Sequence, residues 1–61
     1  MEEEIMTIKE VAAFLKMSEG AVRRYARKGE LKGSYIGRVW RFKKSDVLNW
    51  FNGYSHIKDD K

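Results

Sequence analysis

Four apolar residues recur at helical spacing near the start of the chain, and they predict the first helix. They stand at i, i+3, i+4 and i+7: Ile8, Val11, Ala12 and Leu15. Phe14 widens this stripe. The segment Thr7-Ile8-Lys9-Glu10 matches the capping box, in which the side chains of the first and fourth residues each accept from a backbone N–H. We therefore expect a helix from Ile8 to Leu15.

A second helix is predicted between Ser18, a good N-cap, and Gly29, a natural C-terminal stop. Its apolar face and its polar face are distinct on a helical wheel: Ala21, Val22, Tyr25 and Ala26 on one side, and Gly20, Arg23, Arg24 and Arg27 on the other. Only Lys16-Met17-Ser18 connects the two helices, so they must cross steeply, as in a helix-turn-helix motif. We expect Met17 to fill the corner and Leu31 to anchor the segment that follows.

A β-hairpin is predicted for residues 34–42, and its register has two solutions. A three-residue loop at residues 37–39 places Ile36, Trp40 and Phe42 on one inward face. A two-residue type II′ turn beginning with Gly37 is the alternative, but it turns Ile36 away from Trp40. We therefore expect the longer loop, with the hairpin leaning on the helices through Trp40 and Phe42. The expected cross-strand pairs are Ile36 with Trp40 and Tyr35 with Arg41.

A third helix is expected from Lys44 to Asn52, with Gly53 as its stop. Its first turn holds Ser45 and Asp46, which suit the positive end of a helix. Its apolar stripe is formed by Val47, Leu48 and Phe51, flanked by Trp50. The expected organisation is therefore a frayed acidic segment at residues 1–6, in which Ile5 or Met6 packs as a hydrophobic staple, one folded domain at residues 7–53, and a mobile tail at residues 54–61.

The charge distribution indicates a polyanionic partner. The chain has 61 residues, no cysteine and a formal net charge of +4. Residues 7–54 carry eleven Lys or Arg against four acids, whereas residues 1–6 carry three acids and no base. A basic folded part favours nucleic acid, although a basic domain without such a partner is the plainer alternative. The chain lacks an apolar run of transmembrane length and a basic leader, so we expect a cytoplasmic protein without membrane contact.

The cationic face of the second helix suits the DNA major groove. Arginine forks match guanine edges and phosphates, and Gly20 would let the helix approach closely. The commoner explanation of such a run is a solvated charged face. Trp40 is a candidate for base stacking, but its strand parity favours the core. The residues expected to contact DNA are Ser18, Glu19, Gly20, Arg23, Arg24, Arg27 and Lys28 on the helix, Tyr35, Gly37, Arg38 and Arg41 on the hairpin, and Lys16 and Lys32 as phosphate contacts.

Taken in order, these segments resemble a known family. Residues 7–51 are similar to the excisionase-type branch of the MerR-like winged helix-turn-helix proteins. The matching pieces are Thr7-Ile8-Lys9-Glu10-Val11-Ala12-Ala13-Phe14-Leu15, Met17-Ser18, Val22-Arg23-Arg24, Gly29-Glu30-Leu31, Ile36-Gly37-Arg38-Val39-Trp40-Arg41-Phe42, Asp46-Val47-Leu48 and Trp50-Phe51. The resemblance implies a recognition helix in the major groove and a hairpin wing on the adjacent minor groove or backbone. Glu19 departs from the family pattern at the DNA-facing end, where it sits against the helix dipole or accepts from a cytosine amino group.

The expected function is sequence-specific binding of double-stranded DNA, by a mostly α winged helix-turn-helix of order α-α-β-β-α. The resemblance implies an accessory factor that assists an integrase in excising a mobile element. It further implies a monomer in free solution that binds neighbouring DNA repeats. A small transcriptional regulator is the closest alternative, and a protein-interaction module using Tyr54 and Trp50 is the other. We expect no enzymatic activity, metal or cofactor, because the single histidine, His56, stands in the expected tail and no catalytic constellation surrounds it.

Overall fold

The computed structural model describes the backbone of residues 3–58 and the side chains of residues 3–53. Its elements in chain order are β1 (Ile5–Met6), α1 (Ile8–Leu15), α2 (Glu19–Lys28), β2 (Ser34–Ile36), β3 (Val39–Lys43) and α3 (Lys44–Lys58). The strands form one antiparallel sheet in the order β1-β3-β2. This is a winged helix-turn-helix, as expected, with an additional strand in front of α1. Within the part of the chain that the structure describes, no helix is long and apolar enough to cross a membrane.

Local capping sets the bounds of α1 and α2, and here the sequence-based prediction is confirmed. Thr7 Oγ1 accepts from the Glu10 N–H at 3.2 Å, while Glu10 Oε1 accepts from the Thr7 N–H at 2.9 Å. Lys16 then ends α1 in the left-handed region at φ 57°. Ser18 Oγ accepts from the Ala21 N–H at 3.1 Å, and Gly29 closes α2 at φ 86°. These caps satisfy backbone groups that a short helix would otherwise leave unbonded.

The core lies where α1, α2 and β3 meet the start of α3. Its buried residues are Met6, Val11, Ala12, Val22, Ala26, Leu31, Phe42 and Val47. Around them pack the half-buried residues Ile8, Leu15, Met17, Tyr25, Trp40 and Trp50. The expected roles of Leu31 as an anchor and Met17 as a filler of the corner are therefore confirmed. This core fixes the angle between α1 and α2 and so decides which face of α2 remains exposed.

The hairpin adopts the shorter of the two turns, so the preferred three-residue loop is wrong. Its cross-strand pairs are Ser34 with Arg41, Tyr35 with Trp40 and Ile36 with Val39. Gly37 and Arg38 both have positive φ, at 64° and 67°. That combination is the requirement of a type I′ turn, whose twist matches the twist of paired strands. The type II′ alternative had the right length, but it needs positive φ at Gly37 alone.

This register changes which side chains face the core. Directly paired residues share a face, so Tyr35 lies with Trp40, at 5.3 Å between ring centroids, rather than beside Arg41. Ile36 joins Val39 and Arg41 on the outer face, where it is 60% exposed. The expected inward position of Ile36, the outward position of Tyr35 and its pairing with Arg41 are wrong, because a shift of one residue inverts the faces of a strand. The expected outward position of Arg41 is confirmed.

Phe42, rather than Trp40, is the main anchor of the hairpin. Phe42 is 1% exposed and stacks on the half-buried Trp40, with 5.9 Å between ring centroids. Gly33 lies directly against the Phe42 ring, and a Cβ there would stand 2.5 Å from a ring carbon. Gly33 therefore has a packing function, since a larger residue would displace the buried ring.

The acidic N-terminus is tied down where the structure describes it. Ile5 and Met6 pair with Lys43 and Phe42, and Met6 is buried. The expectation of fraying is wrong for these two residues, because β1 completes the free edge of β3. Met1 and Glu2, which belong to the same expectation, lie outside the described residues. The expected packing of Ile5 or Met6 is confirmed by the burial of Met6.

The third helix starts at Lys44 as expected but passes through Gly53 and continues to Lys58. Gly53 does not adopt the positive φ of a helix-ending glycine. A glycine inside a helix costs only about 1 kcal/mol relative to alanine, which the helix tolerates. The predicted stop is therefore wrong, and the predicted tail begins inside the helix. Residues 59–61 and the side chains of Tyr54 and His56 lie outside what the structure describes.

Candidate nucleic-acid interface

A concave surface joins the second helix to the hairpin, and we call it the arginine depression. It has a volume of about 240 Å³. Its lining residues are Thr7, Ile8, Lys9, Arg23, Arg38, Val39 and Trp40. Three of these are cationic, and none of the described residues that line the depression is acidic. A concave surface with one sign of charge concentrates the electrostatic field and attracts an anion of the opposite sign.

The packing of α2 explains why its cations point outward. Val22 and Ala26, one turn apart, are buried against the rest of the core. At 100° per residue, Arg24 lies directly opposite this buried direction, while Arg23 is turned toward one side. All the predicted contact residues of this helix and its cap are exposed: Ser18, Glu19, Gly20, Arg23, Arg24, Arg27 and Lys28. The helix therefore presents one continuous polar face.

Gly20 stands on that face with nothing within 4 Å of the position a Cβ would occupy. It lies on one stripe with Arg24 and Arg27, at i, i+4 and i+7. Packing inside the protein therefore does not require glycine here. This open position is compatible with the expectation that Gly20 lets α2 approach another molecule closely.

The tip of the hairpin carries Arg38 into the arginine depression. Gly37 and Arg38 form the two central positions of the turn, and both are exposed. Trp40 lines the same depression from β3, and Tyr35 lies against Trp40 on that face of the sheet. Of the four predicted wing residues, Arg38 lines the depression and Tyr35 lies on the same sheet face as Trp40, while Gly37 belongs to the turn beside Arg38.

Arg41 and Lys32 do not join the arginine depression. Arg41 Nη1 donates to the backbone oxygen of Ile36 at 3.0 Å, which holds the side chain on the outer face of the sheet. Both cations line a separate groove on that face, beside Ile5 and Lys43. The parity of β3 explains this separation, because Arg41 and Trp40 are adjacent in sequence and must point to opposite faces.

Two further predicted phosphate contacts have other neighbours. Lys28 Nζ stands 3.8 Å from the Glu30 carboxylate and 5.7 Å from the centre of the Tyr25 ring. An exposed pair of this kind contributes at most about 1 kcal/mol, so it leaves Lys28 able to exchange partners. Lys16 lines an apolar groove with Phe14, away from the arginine depression.

Sequence reasoning missed Lys9. It lies in the first turn of α1 and lines the depression together with Arg23 and Arg38. The pairing of Met6 with Phe42 places the start of α1 beside the wing, and this contact was not visible in the helical periodicity. The capping box predicted where α1 begins, but it did not indicate that the hairpin lies beside that end of the helix.

The sequence of this domain matches the model of a known protein family. The family model described as "Helix-turn-helix domain" matches residues 5–55 of the 61. Comparison with curated proteins and with solved structures finds no match. The matched segment begins with β1 and includes both helices of the motif, the wing and most of α3. The chain therefore belongs to the helix-turn-helix domain family, and DNA is its partner.

Proposed function

We propose that the chain binds double-stranded DNA sequence-specifically and serves as an excisionase-like accessory factor in recombination. The observation that carries the DNA-binding geometry is the arginine depression, in which the start of α1, α2 and the hairpin tip share a cationic concave surface. The recombination role rests on the resemblance of residues 7–51 to excisionases. A small transcriptional regulator is the second candidate, because it needs the same DNA surface.

In the proposed complex, α2 enters the major groove and the wing contacts the neighbouring minor groove or backbone. An α-helix with its side chains is about 10–12 Å across and the major groove is about 12 Å wide, so α2 fits into the groove. The sugar-phosphate strand that separates the two grooves then runs through the arginine depression. Arg23, Arg38 and Lys9 contact neighbouring phosphates of that strand.

This placement divides the cations of α2 into two roles. Arg24 and Arg27 lie on the stripe that faces away from the core, so they reach base edges, with Gly20 allowing the close approach. Arg23 is turned toward the wing and binds phosphate. Phosphate contacts fix the register and base contacts specify the sequence, so these two roles are separable by experiment.

One such module buries about 600–1,000 Å² of protein surface on DNA, which gives a short footprint. We propose that the protein is a monomer in free solution and that neighbouring copies or an integrase supply further affinity on repeated sites. Bending of the bound duplex would serve this role by bringing distant recombinase sites together. Sedimentation of the free protein tests the first part, and footprinting on a duplex with one or two copies of the site tests the second.

The decisive experiment is selection of bound sequences from a random duplex library, followed by mapping of the selected motif on the source genome. Motifs repeated beside a recombinase core site support the excision role. Motifs confined to promoters favour the regulator instead. Recovery of no enriched motif contradicts sequence-specific binding altogether.

A further inference from the structure

A second concave surface, which we call the apolar groove, runs between the end of α1 and the middle of α3. It is lined by Phe14, Leu15, Lys16, Leu48 and Phe51 and has a volume of about 310 Å³. Phe14 and Phe51 are each 44% exposed, and Leu48 is 38% exposed. Contiguous exposed apolar side chains, bordered by polar groups, are typical of interaction surfaces.

Formation of the core does not account for this exposure. Val47 is fully buried and already supplies the contact of α3 with the core. Leu48, one position further, is rotated by about 100° and faces away from that contact. In the same way, the buried Val11 supplies the contact of α1 with the core, while Phe14 remains exposed outside the core. Phe14, Leu48 and Phe51 are therefore additional to the core.

The border of the apolar groove is cationic. Lys16 lines it directly, and Lys44 Nζ stands 5.5 Å from the centre of the Phe14 ring. None of the described residues that line the groove is acidic, although Glu4 stands 3.6 Å from Lys44 at its border. This charge favours an occupant with carboxylates. It disfavours the symmetric pairing of two such grooves, which would place lysines against lysines.

We propose that the apolar groove docks one amphipathic segment of a partner protein, with apolar side chains in the groove and carboxylates beside Lys16 and Lys44. Helices recognised in this way place anchors at i, i+3 or i+4, and i+7. The groove shares no residue with the arginine depression, since Ile8 and Lys9 line one and Phe14 and Leu15 line the other. The nearest lining residues of the two sites on α1, Lys9 and Phe14, are five positions apart, or about 7.5 Å along the helix axis. The protein can therefore bind DNA and the partner segment at the same time.

The test is selection of binders from a phage-displayed library of random 16-residue peptides, with the full chain as the target. We expect the enriched peptides to combine apolar residues at helical spacing with Asp or Glu. A synthetic copy of the most enriched peptide should bind the Phe51→Glu variant at least tenfold more weakly. The matched control is Ile5→Glu, which changes an equally exposed apolar residue on the outer sheet face and should leave the affinity within twofold. Replacing the acidic residues of the peptide by Lys should weaken binding at least fivefold.

Several results would overturn the proposal. These are the absence of enriched peptides, equal binding of the peptide to the Phe51→Glu variant, or a dimer of the free chain that Phe51→Glu abolishes. Nuclear Overhauser contacts between residues 59–61 and Phe14 in the free chain would also overturn it. If Phe51→Glu does not fold by circular dichroism, Leu48→Lys replaces it. Affinity for a random 20-base-pair duplex is measured in parallel and should not change, so a failure of DNA binding is distinguished from a failure of the docking proposal.

Discussion

The carboxylate of Glu3 accepts two hydrogen bonds from Ser45, one from the backbone N–H at 3.2 Å and one from the hydroxyl at 3.3 Å. Ser45 lies in the first turn of α3, where backbone N–H groups have no partner within the helix. The residue that caps α3 is therefore supplied by the other end of the chain. Glu4 adds a second link, because its backbone oxygen accepts from the Lys44 N–H at 3.0 Å.

We expect Glu3→Ala to destabilise the protein by about 0.5–2 kcal/mol, the usual effect of removing a helix cap. The loss should be visible as a lower midpoint of urea unfolding with an unchanged slope. The matched control is Glu4→Gln, which removes only the exposed pair with Lys44 and should cost less than about 1 kcal/mol. Equal midpoints for Glu3→Ala and the parent would show that the contact with Ser45 does not stabilise α3.

A second prediction concerns the two stacked rings of the hairpin. Phe42→Ala removes a side chain that is 1% exposed and should cost about 3–5 kcal/mol, enough to unfold a domain of this size. Trp40→Ala removes a half-buried ring and should cost distinctly less. Thermal unfolding followed by circular dichroism measures both. A larger loss for Trp40 than for Phe42 would contradict the assignment of Phe42 as the anchor.

Features that depend on residues close together in the sequence were predicted correctly, whereas features that depend on distant residues were not. The bounds of α1 and α2 were predictable because Thr7, Ser18 and Gly29 act on residues within one turn. The N-terminal strand was not, because Ile5 pairs with Lys43 and only two residues take part. The register of the wing depended on whether Arg38 adopts a positive φ. An arginine side chain gives no indication of this in the sequence. The cationic face of α2 was predictable from periodicity, whereas the contribution of Lys9 required the sheet that places α1 beside the wing.

Arg38 has a strained backbone conformation and is also a proposed DNA contact. One substitution at this position should therefore affect stability and DNA affinity in opposite directions. Arg38 adopts φ 67°, which costs a residue with a Cβ about 1 kcal/mol and costs glycine little. Arg38→Gly should therefore raise stability by about that amount while weakening DNA binding. Urea unfolding and fluorescence anisotropy measure the two effects on one sample. Unchanged DNA affinity would remove the wing tip from the proposed interface.

The proposed cation set also predicts the salt dependence of DNA binding. The cations expected to neutralise phosphate are Lys9, Arg23, Lys28 and Arg38, because Arg24 and Arg27 are assigned to base edges. Neutralising about four phosphates should give a slope of about −3.6 in a plot of log affinity against log salt concentration. Anisotropy titrations at four salt concentrations determine this slope, and a value near zero would contradict an electrostatic DNA interface.

The final prediction separates the two roles proposed for the arginines of α2. Arg24 lies opposite the buried Val22 and Ala26, so Arg24→Ala should cost about 1–3 kcal/mol on the selected sequence and relax the preference at one base position. Arg23 lines the depression with Arg38, so Arg23→Ala should weaken binding to selected and random duplexes alike. It should also reduce the magnitude of the salt slope by about 0.9, the value expected for one phosphate.

Lys43→Ala is the matched control for both variants, because Lys43 is an exposed cation on the outer sheet face and does not line the arginine depression. It should leave the base preference unchanged and alter the salt slope by much less than Arg23→Ala. The reverse result, with Arg23 changing the base preference and Arg24 acting uniformly, would mean that α2 is rotated in the groove by about one residue. In that case the wing would be displaced from the phosphate strand, and Arg38→Gly would bind DNA as well as the parent protein.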